Sequence, residues 1–207
     1  MLSKIKFFIE QSWLLVVASF AFGLLLAVAN AAWQPRIIQN ELNKFNDLAR
    51  VLLPKAVSFE VAAEGIEVGL DKGKTAKVEV KKGISVDGEC LGWAFVCEGP
   101  GFADKIRLVL AVDSGFEKLA GFGVLASNET PGFGDKIKAD YFRSQFAGAP
   151  VEGLSLSKTG DHKRIDSEIV AISGATVSSE AVIKILNTYL EQVKTRLEEE
   201  GLIDNGK

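Results

Sequence analysis

The chain has 207 residues, of which 47% are hydrophobic, and its net charge of −3 excludes a general electrostatic attraction to nucleic acid. A single histidine and two cysteines exclude a multi-histidine metal site, and the absence of a Cys-x-x-Cys pair argues against structural zinc. After an apolar N-terminal stretch, about 150 residues remain, which is enough for one domain of ordinary size.

The N-terminal stretch from Ser12 to Trp33 is almost wholly apolar and carries no formal charge. A run of about 20 apolar residues is long enough to cross a bilayer as a helix, and Trp13 and Trp33 bracket it as interfacial aromatics do. We therefore predict a retained transmembrane anchor. The alternative is a cleaved signal peptide, because Ala29-Asn30-Ala31 fits a cleavage site. Both interpretations place the following domain outside the cytoplasm.

Three segments are predicted: a cytoplasmic N-terminus and transmembrane anchor (1–34), a membrane-proximal helix (35–54) and an extracytoplasmic domain (55–207). Apolar residues in the second segment recur at spacings of three and four, which is typical of one helix face: Ile37, Ile38, Leu42, Phe45, Leu48, Val51 and Leu52. Pro54 ends this helix. We interpret the stripe as packing partly within the protein and partly against membrane partners.

The next segment, 55–97, has the alternating pattern of strands. Val57–Val61 and Ala76–Val80 are predicted as edge strands, and Asp87-Gly88 predicts a hairpin turn. In the strand that follows, strict alternation places Leu91, Trp93, Phe95 and Cys97 on one face, as core residues, and Cys90, Gly92, Ala94 and Val96 on the other.

The two cysteines, Cys90 and Cys97, are predicted to remain unbonded to each other. Seven residues of extended chain separate them by about 23 Å, beyond disulfide reach, and strict alternation points them to opposite faces. A bulge within this strand would weaken the argument.

The C-terminal half predicts two strong strands and a long helix. Ile106–Val112 and Leu119–Leu125 are joined by a tight turn, which indicates an antiparallel sheet. The last helix is predicted over 178–200, ending at Gly201. Its buried stripe comprises Val182, Ile185, Leu186, Tyr189, Val193 and Leu197. The predicted fold class is α+β: an N-terminal transmembrane helix, then an antiparallel sheet with flanking helices.

The turn before that helix, Ile172-Ser-Gly-Ala-Thr-Val-Ser-Ser179, carries the first candidate site. The unpaired N–H groups of a helix N-terminus favour an anion, and the small neighbours of Thr176 leave its hydroxyl accessible. The alternative is an ordinary strand-to-helix turn in which Ser178 or Ser179 is the N-cap.

A second candidate site is the loop Asn128-Glu-Thr-Pro-Gly-Phe-Gly-Asp-Lys136. Pro131-Gly132 is a strong turn signal, while Gly132 and Gly134 allow the backbone to approach a ligand beside the flat ring of Phe133. The alternative is an ordinary surface loop.

Together these residues resemble the covalent-FMN domain of membrane electron-transport complexes, and most of all the G subunit of the Rnf complex, an ion-translocating ferredoxin:NAD oxidoreductase. The family pairs Asp-x-x-Ser/Thr-Gly-Ala-Thr with an upstream Glu-Thr-Pro-Gly-x-Gly-Asp-Lys-Ile loop. Here Ser173–Thr176 and Glu129–Ile137 match those motifs. The N-terminal anchor, Val51–Pro54 and Gly92–Phe95 extend the likeness over most of the chain.

The resemblance implies FMN bound covalently as a phosphoester of Thr176, with the Glu129–Gly134 loop against the isoalloxazine ring. It implies further cofactor-binding residues in the two motifs: Ser173, Gly174, Ala175, Ser178, Ser179, Glu129, Thr130, Pro131, Gly132, Gly134 and Lys136. It also implies an electron-relay role among other membrane subunits, especially an FMN-carrying D subunit, and maturation by a flavin transferase. The implied location is a bacterial or archaeal cytoplasmic membrane. No nicotinamide-binding fingerprint occurs.

One position departs from the family pattern, because the aspartate three residues before Ser173 is Val170, and Glu168 is not at the matching position. That aspartate belongs to the pattern associated with the transferase. Inefficient attachment, non-covalent binding and absence of flavin therefore stay open as alternatives.

Three other functions are alternatives. The C subunit of the sodium-translocating NADH:quinone reductase has the same domain type but is usually longer. A membrane-tethered interaction module without cofactor is favoured by Val170. A serine hydrolase is disfavoured because no Gly-x-Ser-x-Gly occurs, and His162, in a polar run predicted to be an exposed loop, has no evident partner.

Overall fold

A computed structural model describes residues 2–70 and 73–203, with side chains from residue 11 onward. The chain divides into two compact units, Met1–Asn43 and Lys44–Lys207. The first helix, α1, spans Leu2–Leu52 and contains Pro35. Its portion from Gln11 is long and apolar enough to cross a membrane, with a mean hydropathy of 2.3 and no buried residues in the most apolar window. The division of the chain at residues 34 and 54, and retention of the anchor, remain predictions.

The second unit is built on a five-stranded antiparallel meander with the order β1-β2-β3-β4-β5. The strands are β1 Ser58–Gly69, β2 Thr75–Ile84, β3 Cys90–Pro100, β4 Lys105–Asp113 and β5 Leu119–Ser127. The structure thus contains the predicted antiparallel sheet and flanking helices. The expectation of an edge strand at 76–80 was wrong, because β2 lies between β1 and β3; β1 and β5 form the edges.

A bulge at the start of β3 overturns the predicted alternation of its first residues. Gly83 pairs with Gly92 but the next residue, Ile84, pairs with Cys90, so Leu91 is an extra residue on the β3 side. Leu91 consequently packs against the opposite core cluster from Trp93 and Phe95, while Cys90 packs against the same cluster as Cys97. The opposite-face argument for the cysteines was therefore wrong, although both thiols are free. Burial raises the pKa of the Cys97 thiol.

The end of α1, from Lys44 to Leu52, and the following residue Leu53 cover one face of the sheet. Phe45, Ala49 and Leu53 are buried there. Glycines of the sheet permit this close contact: a Cβ on Gly123 would lie 2.9 Å from Leu48 Cδ2. Of the predicted stripe, Phe45, Leu48 and Leu52 take part in this packing, whereas Val51 is exposed. Ile37, Ile38 and Leu42 are also exposed.

The other face is covered by the last helix, α3, which spans Thr176–Glu199. All six residues of its predicted stripe are buried. The helix begins two residues earlier than predicted and stops before Gly201, whose φ of 68° requires the left-handed region. A Cβ on Gly99 of β3 would lie 2.6 Å from Ile185 Cγ1, so this strand admits α3 only with glycine there.

Between β5 and α3 the chain forms short elements. A 3-10 turn covers Gly134–Lys138, the helix α2 covers Asp140–Arg143, and a second 3-10 turn covers Ser144–Phe146. The strands β6 (Ser155–Ser157) and β7 (Glu168–Val170) pair in parallel, and β7 leads into the turn before α3.

The lone histidine lies in the loop between β6 and β7. His162 is half-buried, and its ring meets the ring of Tyr141 edge-on at 5.8 Å between centroids. The residues around it, Asp161, Lys163 and Arg164, are exposed, as predicted for this loop, but the histidine ring itself is partly covered. His162 does not line the candidate cleft described below.

Tyr189 couples α3 to β3 in a pH-dependent way. Its hydroxyl donates to the carbonyl of Glu98 at 3.1 Å, and burial raises its pKa from 10.0 to about 12. Because the folded-state pKa is above the unfolded one, this stability is complete below pH 10 and is lost as the pH rises from 10 towards 12.

We expect wild-type protein to lose up to about 2–3 kcal/mol of folding free energy over that range through this group. The Tyr189→Phe variant should lack that component while being less stable at neutral pH by about 1 kcal/mol, the contribution of one hydrogen bond. Denaturant unfolding across the pH range measures both. Parallel alkaline losses in the two proteins would contradict this prediction.

Candidate functional site

The two motifs that the sequence singles out meet in one open cleft of about 420 Å³ in the second unit. Its wall includes six of the residues predicted for the site, together with three apolar side chains: Thr130, Gly134, Gly174, Ala175, Thr176, Ser178, Phe102, Phe133 and Val177. The N-terminus of α3 thus forms one side, and the 128–134 loop and the loop after β3 form the rest.

Thr176 is the first residue of α3 and is partly exposed at the cleft. No side chain caps this helix. The N–H groups of Thr176, Val177 and Ser178 have no acceptor in the part of the chain that the structure describes. A helix start of this kind, with open donors and partial positive charge, suits an anionic group.

The alternative of Ser178 or Ser179 as the N-cap was wrong, because the N-cap is Ala175. Ser179 instead joins the turn to the helix: its Oγ accepts from the N–H of Ile172 and donates to the carbonyl of Ala175, both at 3.0 Å. Ser179 is fully buried behind the cleft and does not line it.

Two aromatic rings stand open at the cleft. Phe102 is 66% exposed and Phe133 is 55% exposed, which is unusual for such large apolar side chains. Gly174 has a φ of 79°, and a Cβ there would lie 3.3 Å from the Phe133 ring. The positive φ favours glycine at this turn, and a side chain there would also displace the Phe133 ring slightly.

Glu129 lies behind the cleft and does not line it. It is 4% exposed, and its carboxylate accepts from the N–H groups of Phe102 and Ala103 and from the hydroxyl of Ser178. The remaining predicted residues outside the lining are Ser173, Pro131, Gly132 and Lys136, all exposed. Their roles towards a cofactor, like that of Thr176, remain predictions.

Comparison with known proteins identifies the family. The FMN-binding domain family matches residues 101–191, a range that contains the whole cleft. The G subunit of an ion-translocating oxidoreductase complex from Methanosarcina acetivorans is 31% identical over 88% of this chain and 92% of its own length. This chain belongs to the family of G subunits of ion-translocating oxidoreductase complexes.

A second relative in the G-subunit family supports this assignment. The G subunit of the Na(+)-translocating ferredoxin:NAD(+) oxidoreductase complex of Acetobacterium woodii is 32% identical over 86% of this chain and 87% of its own length. The crystal structure of NqrC from Shewanella oneidensis has the same fold, with a TM-score of 0.56 at 21% identity over 70% of this chain and 73% of that one. The predicted resemblance and fold class are thereby confirmed.

The position that departs from the G-subunit motif is buried. Val170 ends β7 and is 6% exposed. Its N–H donates to Gln145 Oε1 at 2.8 Å, and its carbonyl accepts from Gln145 Nε2 at 3.2 Å. A Cβ on Gly160 would lie 2.8 Å from Val170 Cγ2. The valine side chain thus packs against the backbone of another loop and does not line the cleft.

Sequence reasoning missed Phe102, Val177 and the anchoring of the loop after β3. The run Gly99-Pro-Gly-Phe102 between two predicted strands was a usable signal, since it places an aromatic in a glycine-rich turn. That loop is joined to the 128–134 loop by a hydrogen bond from Asn128 Nδ2 to Asp104 Oδ2 at 2.8 Å.

This hydrogen bond should shift the titration of the Asp104 carboxyl group by a measurable amount. The side-chain hydrogen bond from Asn128 and then the backbone N–H of Lys105 lower the pKa of Asp104 from 3.8. Because the folded-state pKa is the lower one, the contact stabilises the loop above pH 3.8 and is lost as the pH falls through the folded value.

Replacing Asn128 by alanine should raise the Asp104 pKa towards its ordinary value, because the main cause of the depression is removed. A carboxyl-carbon NMR titration measures it. Asn187→Ala, whose amide instead donates to Leu154, is the control and should leave the Asp104 titration unchanged. Equal Asp104 titrations in wild type and Asn128→Ala would contradict the assignment.

Proposed function

We propose that this chain is a membrane-anchored flavoprotein subunit that carries FMN as a phosphoester of Thr176 and relays electrons within an ion-translocating ferredoxin:NAD oxidoreductase. The observation that carries the proposal is the position of the Thr176 hydroxyl: at the open N-terminus of α3, on the wall of a cleft with exposed aromatic rings. Each part of that arrangement matches one part of FMN.

The residues that line the cleft are suited to binding FMN. The phosphate would be held by the open N–H groups of the first turn of α3, and the flat apolar ring by Phe102, Phe133 and Val177. When bound, FMN supplies the redox chemistry, while the chain supplies orientation and the electrostatic surroundings. The exposed rings lie in a cleft that is open to solvent, so electrons would not need to cross the protein core.

Attachment is a transfer of the FMN phosphoryl group to Thr176. The flavin transferase would use an activated flavin whose FMN phosphate carries a nucleotide leaving group. A bond forms between Thr176 Oγ and phosphorus, the bond from phosphorus to the leaving phosphate oxygen breaks, and the hydroxyl proton passes to a base or solvent. The nucleotide monophosphate departs, and no electrons are exchanged.

The tether has a physical rationale on the outer side of a membrane, where we place the domain. A freely dissociating flavin would be lost by dilution there, whereas a covalent link replaces bimolecular binding by a high effective concentration. Partners in the proposal are the other membrane subunits of the complex, especially an FMN-carrying D subunit. The names of the relatives support a G-type over a C-type assignment.

Mass spectrometry tests the proposal. The full chain, produced with and without a flavin transferase, would be digested with trypsin, which cleaves after Arg164 and Lys184. We expect the peptide 165–184 to gain the mass of one FMN less one water only when the transferase is present, and fragmentation to place it on Thr176. An unmodified peptide from matured protein would refute covalent attachment and favour either non-covalent binding or the cofactor-free module.

A further inference from the structure

We infer that Glu129 is a positioning residue for the flavin site: its carboxylate assembles the cleft from behind and places a fixed negative charge beside it. This inference rests on the proposed function. It replaces the role that the family resemblance implies for Glu129, which was contact with the flavin ring.

The carboxylate joins three separate parts of the chain. Oε1 accepts from the N–H groups of Phe102 and Ala103 at 2.9 and 3.0 Å. Oε2 accepts from the hydroxyl of Ser178 at 2.5 Å. All three contacts come from donors, which is the pattern that an ionised carboxylate satisfies best. Glu129 therefore links the 128–134 loop both to the loop after β3 and to the first turn of α3.

Two glycines leave room for this carboxylate. A Cβ on Gly101 would lie 2.3 Å from Glu129 Oε1, and a Cβ on Gly134 would lie 2.7 Å from Oε2 and 2.7 Å from Ser178 Oγ. Neither glycine could carry a side-chain carbon at such distances. The backbone on both sides is thus shaped around the carboxylate, which indicates a specific internal site for it.

These contacts bear directly on the reacting hydroxyl. Ser178 lies two residues after Thr176 in the same helical turn, and both line the cleft, as does Phe102. Glu129 therefore fixes the orientation of that turn and the position of the Phe102 ring through its hydrogen bonds. Its negative charge lies directly behind Ser178, which lines the cleft. A negative charge at this position disfavours the addition of electrons to a flavin bound in the cleft.

Three variants separate shape from charge. Glu129→Gln keeps the shape and an acceptor for the two N–H groups but removes the charge. Glu129→Ala removes all three hydrogen bonds, and Ser178→Ala removes only the link to α3. The readouts are covalent FMN per chain by mass spectrometry, the midpoint potential of the flavin by redox titration, and the melting temperature without flavin.

We expect Glu129→Ala to lower covalent FMN per chain at least tenfold and Ser178→Ala to lower it less. Glu129→Gln should retain FMN within about twofold of wild type and shift the midpoint potential to a more positive value. Val109→Ala, a substitution in the core cluster on the face of the sheet opposite α3, is the control for stability. If reduced stability alone lowers FMN content, Val109→Ala and Glu129→Ala should lose FMN in proportion to the fall in their melting temperatures.

The outcomes distinguish the two claims. Unmodified wild-type protein would refute the proposed function. Modified wild type, together with an unchanged potential in Glu129→Gln, would refute only the role of the Glu129 charge. FMN content in Glu129→Ala that equals wild type, or that falls no further than in the stability control, would refute its positioning role.

Discussion

Thr176→Ala is expected to abolish covalent flavin, leaving no fluorescent band after denaturing electrophoresis of protein matured with the transferase. The variant removes the only atom through which the proposed phosphoester forms. Any flavin that still enters the cleft should be lost on gel filtration, because the effective concentration given by the tether, on the order of millimolar for short flexible links, is gone. The fold should change little, since the side chain lies at the surface of the cleft.

Two matched variants make this result specific. Thr176→Ser keeps a hydroxyl at the same position and should retain a band. Thr159→Ala removes an exposed hydroxyl in the loop between β6 and β7, outside both motifs and outside the lining of the cleft, and it should leave the band at wild-type intensity. A band that persists in Thr176→Ala would contradict the prediction by showing attachment to another residue.

The second large effect concerns the core. Phe122 of β5 is 1% exposed and contacts the rings of Phe146 and Phe142 edge-on, with centroids at 4.8 and 6.3 Å. Phe122→Ala should lower the free energy of unfolding by about 3–5 kcal/mol, the sum of lost transfer energy and the cavity left behind. That is a large part of the roughly 5–15 kcal/mol that stabilises a typical domain.

The same substitution should loosen the site, because Gln145 lies between Phe142 and Phe146 in sequence and holds the backbone of Val170 just before the attachment turn. Denaturant unfolding in detergent measures the loss, and Phe122→Leu, which leaves a smaller cavity, should cost about 1–2 kcal/mol. A loss below about 1 kcal/mol in Phe122→Ala would show that the aromatic cluster is not central to the core.

The parts of the fold that could be predicted are those whose apolar pattern lies within a single strand or helix. β4 and β5 follow from their apolar runs, because both faces of these strands are covered by core clusters. The buried stripe of α3 follows from apolar periodicity, because one face of that helix packs on the sheet. The start of β3 was wrongly predicted because the bulge at Leu91 depends on pairing with β2. The earlier start of α3 at Thr176 could not be predicted from the Ser178 and Ser179 side chains, since neither one caps the helix.

The sequence by itself determined the family, the α+β class and the two motifs, because these depend on residue types within short stretches. It also marked Thr176 as the hydroxyl to examine. Only the tertiary structure decided that Phe102 completes the cleft and that Glu129 turns inwards to Ser178, 49 residues further along the chain. Contacts of this kind depend on how separate segments meet, and no local pattern of residue types records that meeting.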